Sequence, residues 1–193
     1  MPPVMKSKLF LGFCAVLVAL AIGFGAAQMR GHEGHMHGQN HGAEHSHDTV
    51  NMPGLKGRNA TEAESEELAV MFRRFEEITR TVENLPDGIR TVTFASDEEL
   101  MGVVASHVIG MIDRVDMGSD PEVIIQSPTL DILFERRASI VTEMDMTDDG
   151  IVVFQTSDDP DVVAALHTHA AEVSAMVDRG MDAVHEMMDA RGR

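Results

Sequence analysis

The chain has 193 residues, 44% of them hydrophobic, and its 15 basic and 32 acidic side chains leave a formal charge of −17. That balance excludes nucleic acid as a partner, since phosphates need a basic face, and disfavours anionic membrane surfaces for the same reason. With one cysteine, Cys14, the chain has no means of building disulfides, thiolate metal sites, Fe–S clusters or covalent Cys-x-x-Cys-His haem attachment.

In chain order, the first segment reads as an address. Lys6 and Lys8 precede an apolar run over residues 9–23, and Gly25-Ala26-Ala27 then puts small residues at a cleavage site. This is the layout of a secretory signal peptide over residues 1–27. The same run is long enough to act as an uncleaved anchor, the one route by which this chain would meet a membrane. Both versions predict a periplasmic or secreted protein. Cys14 follows the bulky Phe13, so no lipidation is expected there. Losing the signal with its two lysines leaves residues 28–193, more acidic still and the size of one domain with a real core.

Residues 28–60 are rich in Gly, His, Asn and Ser and lack apolar periodicity, which predicts a disordered tether. Six of the ten histidines lie in it: His32, His35, His37, His41, His45 and His47, with Met36 between two of them. A short His-rich tract is a metal-binding composition. Imidazole suits Cu(II) and Zn(II), thioether suits Cu(I), and a flexible chain gathers several ligands without a preformed cavity. Copper or zinc is the expected ion.

Residues 61–188 carry the periodic signals. Thr61-Glu62-Ala63-Glu64 is a capping box, and Leu68, Met71, Phe72, Phe75 and Ile78 follow it at helical spacing. A short strand over 79–83, the turn Pro86-Asp87-Gly88 and a second strand over 89–94 form a hairpin. Ser96 or Asp97 caps a helix whose stripe is Leu100, Val104, His107, Val108, Met111 and Val115. Gly118 to Pro121 reads as a joint. Ser127-Pro128 then opens a short helix, strands over 140–146 and 151–156 flank Asp148-Asp149-Gly150, and Ser157-Asp158-Asp159-Pro160 opens a last helix. Its stripe is Val162, Leu166, His169, Val173 and Val177. Residues 189–193 read as a disordered tail.

Shifted so that Leu68 falls on Leu130, this region lies on itself without a gap. At that one offset Phe72, Arg74, Asp87, Gly88, Asp97 and His107 meet Phe134, Arg136, Asp149, Gly150, Asp159 and His169. Fixed-period self-similarity predicts one supersecondary unit used twice, copy one over 61–117 and copy two over 127–180. The expected fold is α+β: two tandem helix–β-hairpin–helix repeats related by a pseudo-twofold. They would share an antiparallel four-stranded sheet with helices packed on one face. Gly88 and Gly150 are expected at turn positions, with positive φ.

Gly150-Ile151 followed by Ser157-Asp158-Asp159-Pro160-Asp161-Val162-Val163, Leu166 and His169 resembles a signature of an uncharacterised family of exported bacterial proteins. In that family the signature, Gly-[Val/Ile] then Ser-Asp-Asp-Pro-x-Val-Val-x-x-[Ile/Leu]-x-x-His, is doubled. Copy one departs from it at Asp97-Glu98-Glu99-Leu100 but keeps Gly88-Ile89 and His107. The resemblance implies a shared fold and export, and no activity.

Three functions remain open. The first is a non-catalytic metal-binding protein, a copper or zinc buffer, chaperone or sensor working through the tether. In the second, His107 and His169, with Met111 one turn from His107, form a symmetric site for a ligand such as haem b. The competing account makes both histidines core residues. The third is an accessory domain that docks a second copy or a periplasmic protein. His167 sits about 200° around the helix from His169, which sends it to the surface. His185 shares a face with Met181 and Met188 on a C-terminal segment expected to dock on the body. No phosphate loop, nucleophile elbow or His-Glu-x-x-His motif is present, so no reaction is predicted.

Overall fold

The computed structural model describes residues 52–192. The signal segment, Cys14 and the tether ligands His32, His35, Met36, His37, His41, His45 and His47 lie outside the described residues. The body runs from a 3-10 turn, Pro53–Leu55, into α1 (Glu62–Arg73), a second turn (Phe75–Glu77), β1 (Ile78–Leu85), β2 (Gly88–Ala95) and α2 (Glu98–Met117). It continues through α3 (Thr129–Glu135), a third turn (Arg137–Ser139), β3 (Ile140–Thr147), β4 (Gly150–Ser157), α4 (Pro160–Arg179) and α5 (Met181–Arg191). The architecture is α+β, with an antiparallel sheet in the order β1-β2-β4-β3.

Local chemistry explains the boundaries. In the capping box, Glu64 N–H donates to the Thr61 hydroxyl at 3.2 Å and Thr61 N–H donates to the Glu64 carboxylate at 2.7 Å. Asp97 caps α2 by accepting from Leu100 N–H at 2.8 Å. Asp159 caps α4, with Pro160 in the first helical position where its missing N–H costs nothing. Arg74 and Arg136 hold these two caps at 3.1 and 2.9 Å.

Each hairpin turns on two residues, Pro86-Asp87 and Asp148-Asp149. Gly150 has φ 116° and Gly88 does not have a positive φ, against the expectation for both. What glycine supplies at 88 is space: a Cβ would run into the Gln155 carbonyl, as one at Gly150 would run into the Thr93 carbonyl. The bounds of β1, β2 and α2 fall on those of β3, β4 and α4 at the same offset that carries Leu68 to Leu130. The stretches before them differ. Thr61 opens α1, but its counterpart at that offset is Val123, which bridges to Gly57, and Pro128 disfavours helix at Ser127, so α3 starts late.

Strand alternation sorts the sheet into two faces. Ile89, Thr91, Thr93 and Ala95 of β2 and Ile151 and Val153 of β4 are buried on the helix side. Ile78, Ala95, Ile151 and Val153 pack with Leu100 and Val104 of α2, while Ile89 packs with Leu133 of α3 and Val162, Leu166 and Ala170 of α4. Arg90, Val92 and Phe94 point the other way.

A third core corrects the domain boundary. Met52 and Leu55, in the stretch expected to be tether, are buried with Ala69, Ile125 and Val184. Ile124 and Ile125 N–H groups donate to the carbonyls of Lys56 and Gly54, and Asn59 N–H donates to that of Pro121 at 3.1 Å. Residues 52–59 therefore belong to the body. Leu55 is 1% exposed, worth roughly 1.5–3 kcal/mol of burial. The expected tail at 189–193 is corrected likewise: α5 runs to Arg191, which donates to the Gln126 carbonyl at 2.8 Å. Val184 and Ala183 dock α5. No helix among the described residues is long and apolar enough to cross a membrane.

Candidate functional site

His107 projects from α2 and His169 from α4, and the charge of His169 is one of the influences on His107. Burial pushes the His107 pKa down to about 4; the Glu64 carboxylate opposes the shift and His169 adds to it. His169 Nδ1 lies 3.9 Å from Glu172 Oε2, beyond hydrogen-bond reach, and both atoms are buried without a partner. The other Glu172 oxygen accepts from the Ser127 hydroxyl at 2.7 Å and the Thr129 hydroxyl at 3.3 Å. Burial raises the Glu172 pKa, but His169 and these hydroxyls outweigh it, and the net direction is down.

Glu64, the α1 group whose charge bears on His107, is itself committed. It forms a two-armed ion pair with Arg114 of α2, with Nη2 at 2.8 Å from Oε2 and Nε on Oε1. Arg114 also donates to the carbonyls of Ser119 and Asn59, each at 2.9 Å. A polar seam thus runs along α1, α2, α4 and the entry to α3, with Glu64 and Arg114 toward the His107 end and Glu172 and Ser127 at His169. It adds Glu172, Ser127 and Glu64, none singled out beforehand as site residues. The i,i+3 spacing of His169 and Glu172 was the available signal.

The seam does not assemble a metal cage: among the described residues no three His, Cys, Asp or Glu side chains are grouped to hold an ion. Leu100 and Val104 on the stripe of His107, and Leu166 on that of His169, are buried in cores. Leu100 and Val104 pack on Ala95 and Ile151, and Leu166 packs in a separate cluster with Ile89 and Leu133. Met111 is half-buried along α2. The cavities lie elsewhere. A groove of about 350 Å³ between α4 and α5 is lined by Glu172, Met176, Arg179 and Met187, and one of about 240 Å³ on the open sheet face by Thr81, Val92, Phe94, Asp148 and Asp149.

His167 is not the surface residue expected. Its Nε2 lies 2.8 Å from the Gly88 carbonyl and 3.1 Å from that of Leu85. Carbonyls only accept, so Nε2–H donates to both and ties α4 to the first hairpin. Arg80 on β1 was not anticipated. Its Nη1 donates to the Thr93 hydroxyl at 2.9 Å, its Nε is buried without a partner, and burial lowers its pKa to about 10. His185 is half-buried on α5, and Met188 beside it is exposed. No family model matches the chain, and neither does any curated protein or solved structure.

Proposed function

We propose that this chain is an exported, non-catalytic metal-binding protein, a copper or zinc buffer, chaperone or sensor. His32, His35, Met36, His37, His41, His45 and His47 supply the ligands, and residues 52–192 form the body that carries them. The observation behind it is compositional: six imidazoles and a thioether fall between Gly31 and His47. In the body His167 is engaged on two carbonyls, and no three His, Cys, Asp or Glu side chains among the described residues are grouped to hold an ion. The test is a Cu(II) and Zn(II) titration of the full chain beside one lacking residues 29–51. The shorter chain should lose most of the bound metal and keep its melting temperature. Binding to the full chain should weaken as pH falls through about 6, because ligating imidazoles must be neutral. Unchanged stoichiometry in the shorter chain would sink the reading.

The body itself is best understood as one unit used twice about a pseudo-twofold, in keeping with the doubled family signature. The central register supports this, since Thr91 pairs with Val153, its own counterpart in the other copy. The carbonyls that exclude a side chain at Gly88 and Gly150 belong to Gln155 and Thr93, which are counterparts in the same way. The two Arg–Asp helix caps repeat at that offset too. A second functional reading, a small ligand or haem b held between His107 and His169, is favoured by the recurrence of the two histidines at one offset and by the unpaired His169 Nδ1. Adding haemin to the purified full chain tests it: a Soret shift abolished by His169→Ala is its signature, and an unchanged free-haemin spectrum ends it.

A further inference from the structure

The described helices leave one face of the sheet open. In register across it, Val92 of β2 lies beside Val152 of β4, and Arg90 beside Phe154. Val152 is buried, while Phe94 and Phe154 remain 37% exposed, and Val141 of β3 is exposed more fully. Two of the chain's eight phenylalanines thus stand on a surface that no described element of the body covers. Grouped exposed apolar side chains on a soluble domain mark a contact surface.

The flanks of that strip are charged, and unevenly. On the β1 side Glu83 pairs across the strands with Arg90, whose guanidinium lies 5.5 Å from the centre of the Phe154 ring. On the β3 side Glu143 stands beside Phe154 and Asp145 beside Val152. Asp148 and Asp149 close the end of the groove floored by Val92 and Phe94. No basic residue lies on β3 or in its turn, and Arg80 of β1 is the basic residue that lines the groove with Asp148 and Asp149.

We propose that the open sheet face, with Val92, Phe94, Val152 and Phe154 at its centre and Glu143, Asp145, Asp148 and Asp149 along one flank, docks a segment of another protein that alternates apolar and basic side chains. Charge selects this occupant over a second copy. Two such faces stacked together would bury eight flank carboxylates, and a Glu83 from each side besides, against at most Arg80 and Arg90 from each side, which like-charge juxtaposition disfavours. Size agrees. Four strands spaced about 4.8 Å, each about eight residues long at 3.3 Å, give a face on the order of 500 Å². That is below the roughly 800 Å² per partner of a standard interface and suits a short strand or helix. The surface lies apart from the His-rich segment in the sequence, so the proposal goes beyond metal capture.

The chain has no Trp or Tyr, so the probe carries the label: a fluorescein-tagged peptide of alternating Lys and Val, with a Glu–Val peptide as control. Anisotropy on the full chain should show binding of the first and none of the second. Replacing both exposed rings, Phe94→Ser with Phe154→Ser, should weaken binding about tenfold or more. The charge reversal Glu143→Lys with Asp145→Lys, at exposed positions, should do the same, and circular dichroism of both variants should match the parent. Loss with the charge reversal but not with the phenylalanine changes would mean bulk attraction to an acidic protein and would overturn the proposal. So would sedimentation showing a dimer that the phenylalanine changes dissolve, because the occupant would then be a second copy.

Discussion

Glu64→Gln tests the ion pair at the junction of α1 and α2 while keeping the helix cap. Glutamine still accepts from Thr61 N–H, so the capping box survives. What disappears is the negative charge opposite Arg114 and the oxygen that accepts from its Nε; the Arg114 side chain is 11% exposed, and it keeps the neutral Ser119 and Asn59 as hydrogen-bond partners and the Asp120 charge nearby. The Arg114 guanidinium holds the Glu64 pKa down to about 2 from an ordinary 4.5, against burial and with help from Thr61. A depressed carboxyl pKa contributes stability that is fully present above the unfolded value, near 4.5, and is lost as pH falls through the folded value, near 2. At about 1.4 kcal/mol per pH unit that interval caps the contribution at ~3 kcal/mol. Because a quarter of the Glu64 side chain is exposed, screening brings the expected loss to about 1–2 kcal/mol. Urea unfolding of parent and variant at pH 7, 5, 4 and 3 measures it. The stability gap should be widest at neutral pH and narrow steadily below about 4.5 as the parent's carboxylate protonates. A gap of constant size down to pH 3 would refute the electrostatic account and point to lost packing.

His107→Leu should flatten the loss of stability on acidification. The parent's His107, held neutral with a pKa of about 4 against the ordinary 6.5, costs stability between those values at up to about 1.4 kcal/mol per pH unit, and parallel melting curves for parent and variant at pH 7 and 5 would contradict this. Gly102→Ala and Gly110→Ala, where an added Cβ meets nothing within 4 Å on α2, should each stabilise by about 0.5–1 kcal/mol; Gly150→Ala, at φ 116° against the Thr93 carbonyl, should destabilise by about 2 kcal/mol or more. Removing residues 29–51 should leave thermal unfolding unchanged, whereas extending the deletion to 59 removes Met52 and Leu55 from the third core and should cost roughly 3 kcal/mol or more.

The hairpins and long helices were legible because each carries its own signals: Pro-Asp-Gly and Asp-Asp-Gly between β-branched runs, and Asp97 and Asp159 before apolar stripes. Their bounds fall within two or three residues of expectation. The third core was not legible. Met52 and Leu55 are two apolar residues in a polar stretch with no period to detect, and their burial depends on Ile125 and Val184 arriving from elsewhere in the chain. His167 was misjudged for the same reason. Helical geometry correctly puts it opposite His169, but only the crossing of α4 over the first hairpin turns that opposite side toward the Gly88 carbonyl. The matched histidines were visible, and the Ser127–Glu172 bond beside His169 was not, since it joins residues 45 apart.

The strands make the most useful case, because there the pattern was visible and its meaning was not. A strand with one face in a core and one in water alternates cleanly, yet β2 places Ile89 on one side and Val92 and Phe94 on the other, and β4 places Val153 against Val152 and Phe154. Sequence of this kind ordinarily belongs to a sheet covered on both faces. The described helices all lie on one side, filling two clusters with Leu100, Val104, Val162 and Leu166, and none of the described elements covers the other. The apolar residues on the second face are therefore more than the fold itself needs. The surrounding carboxylates give that surplus a direction, toward a basic partner and away from another copy of the same acidic chain.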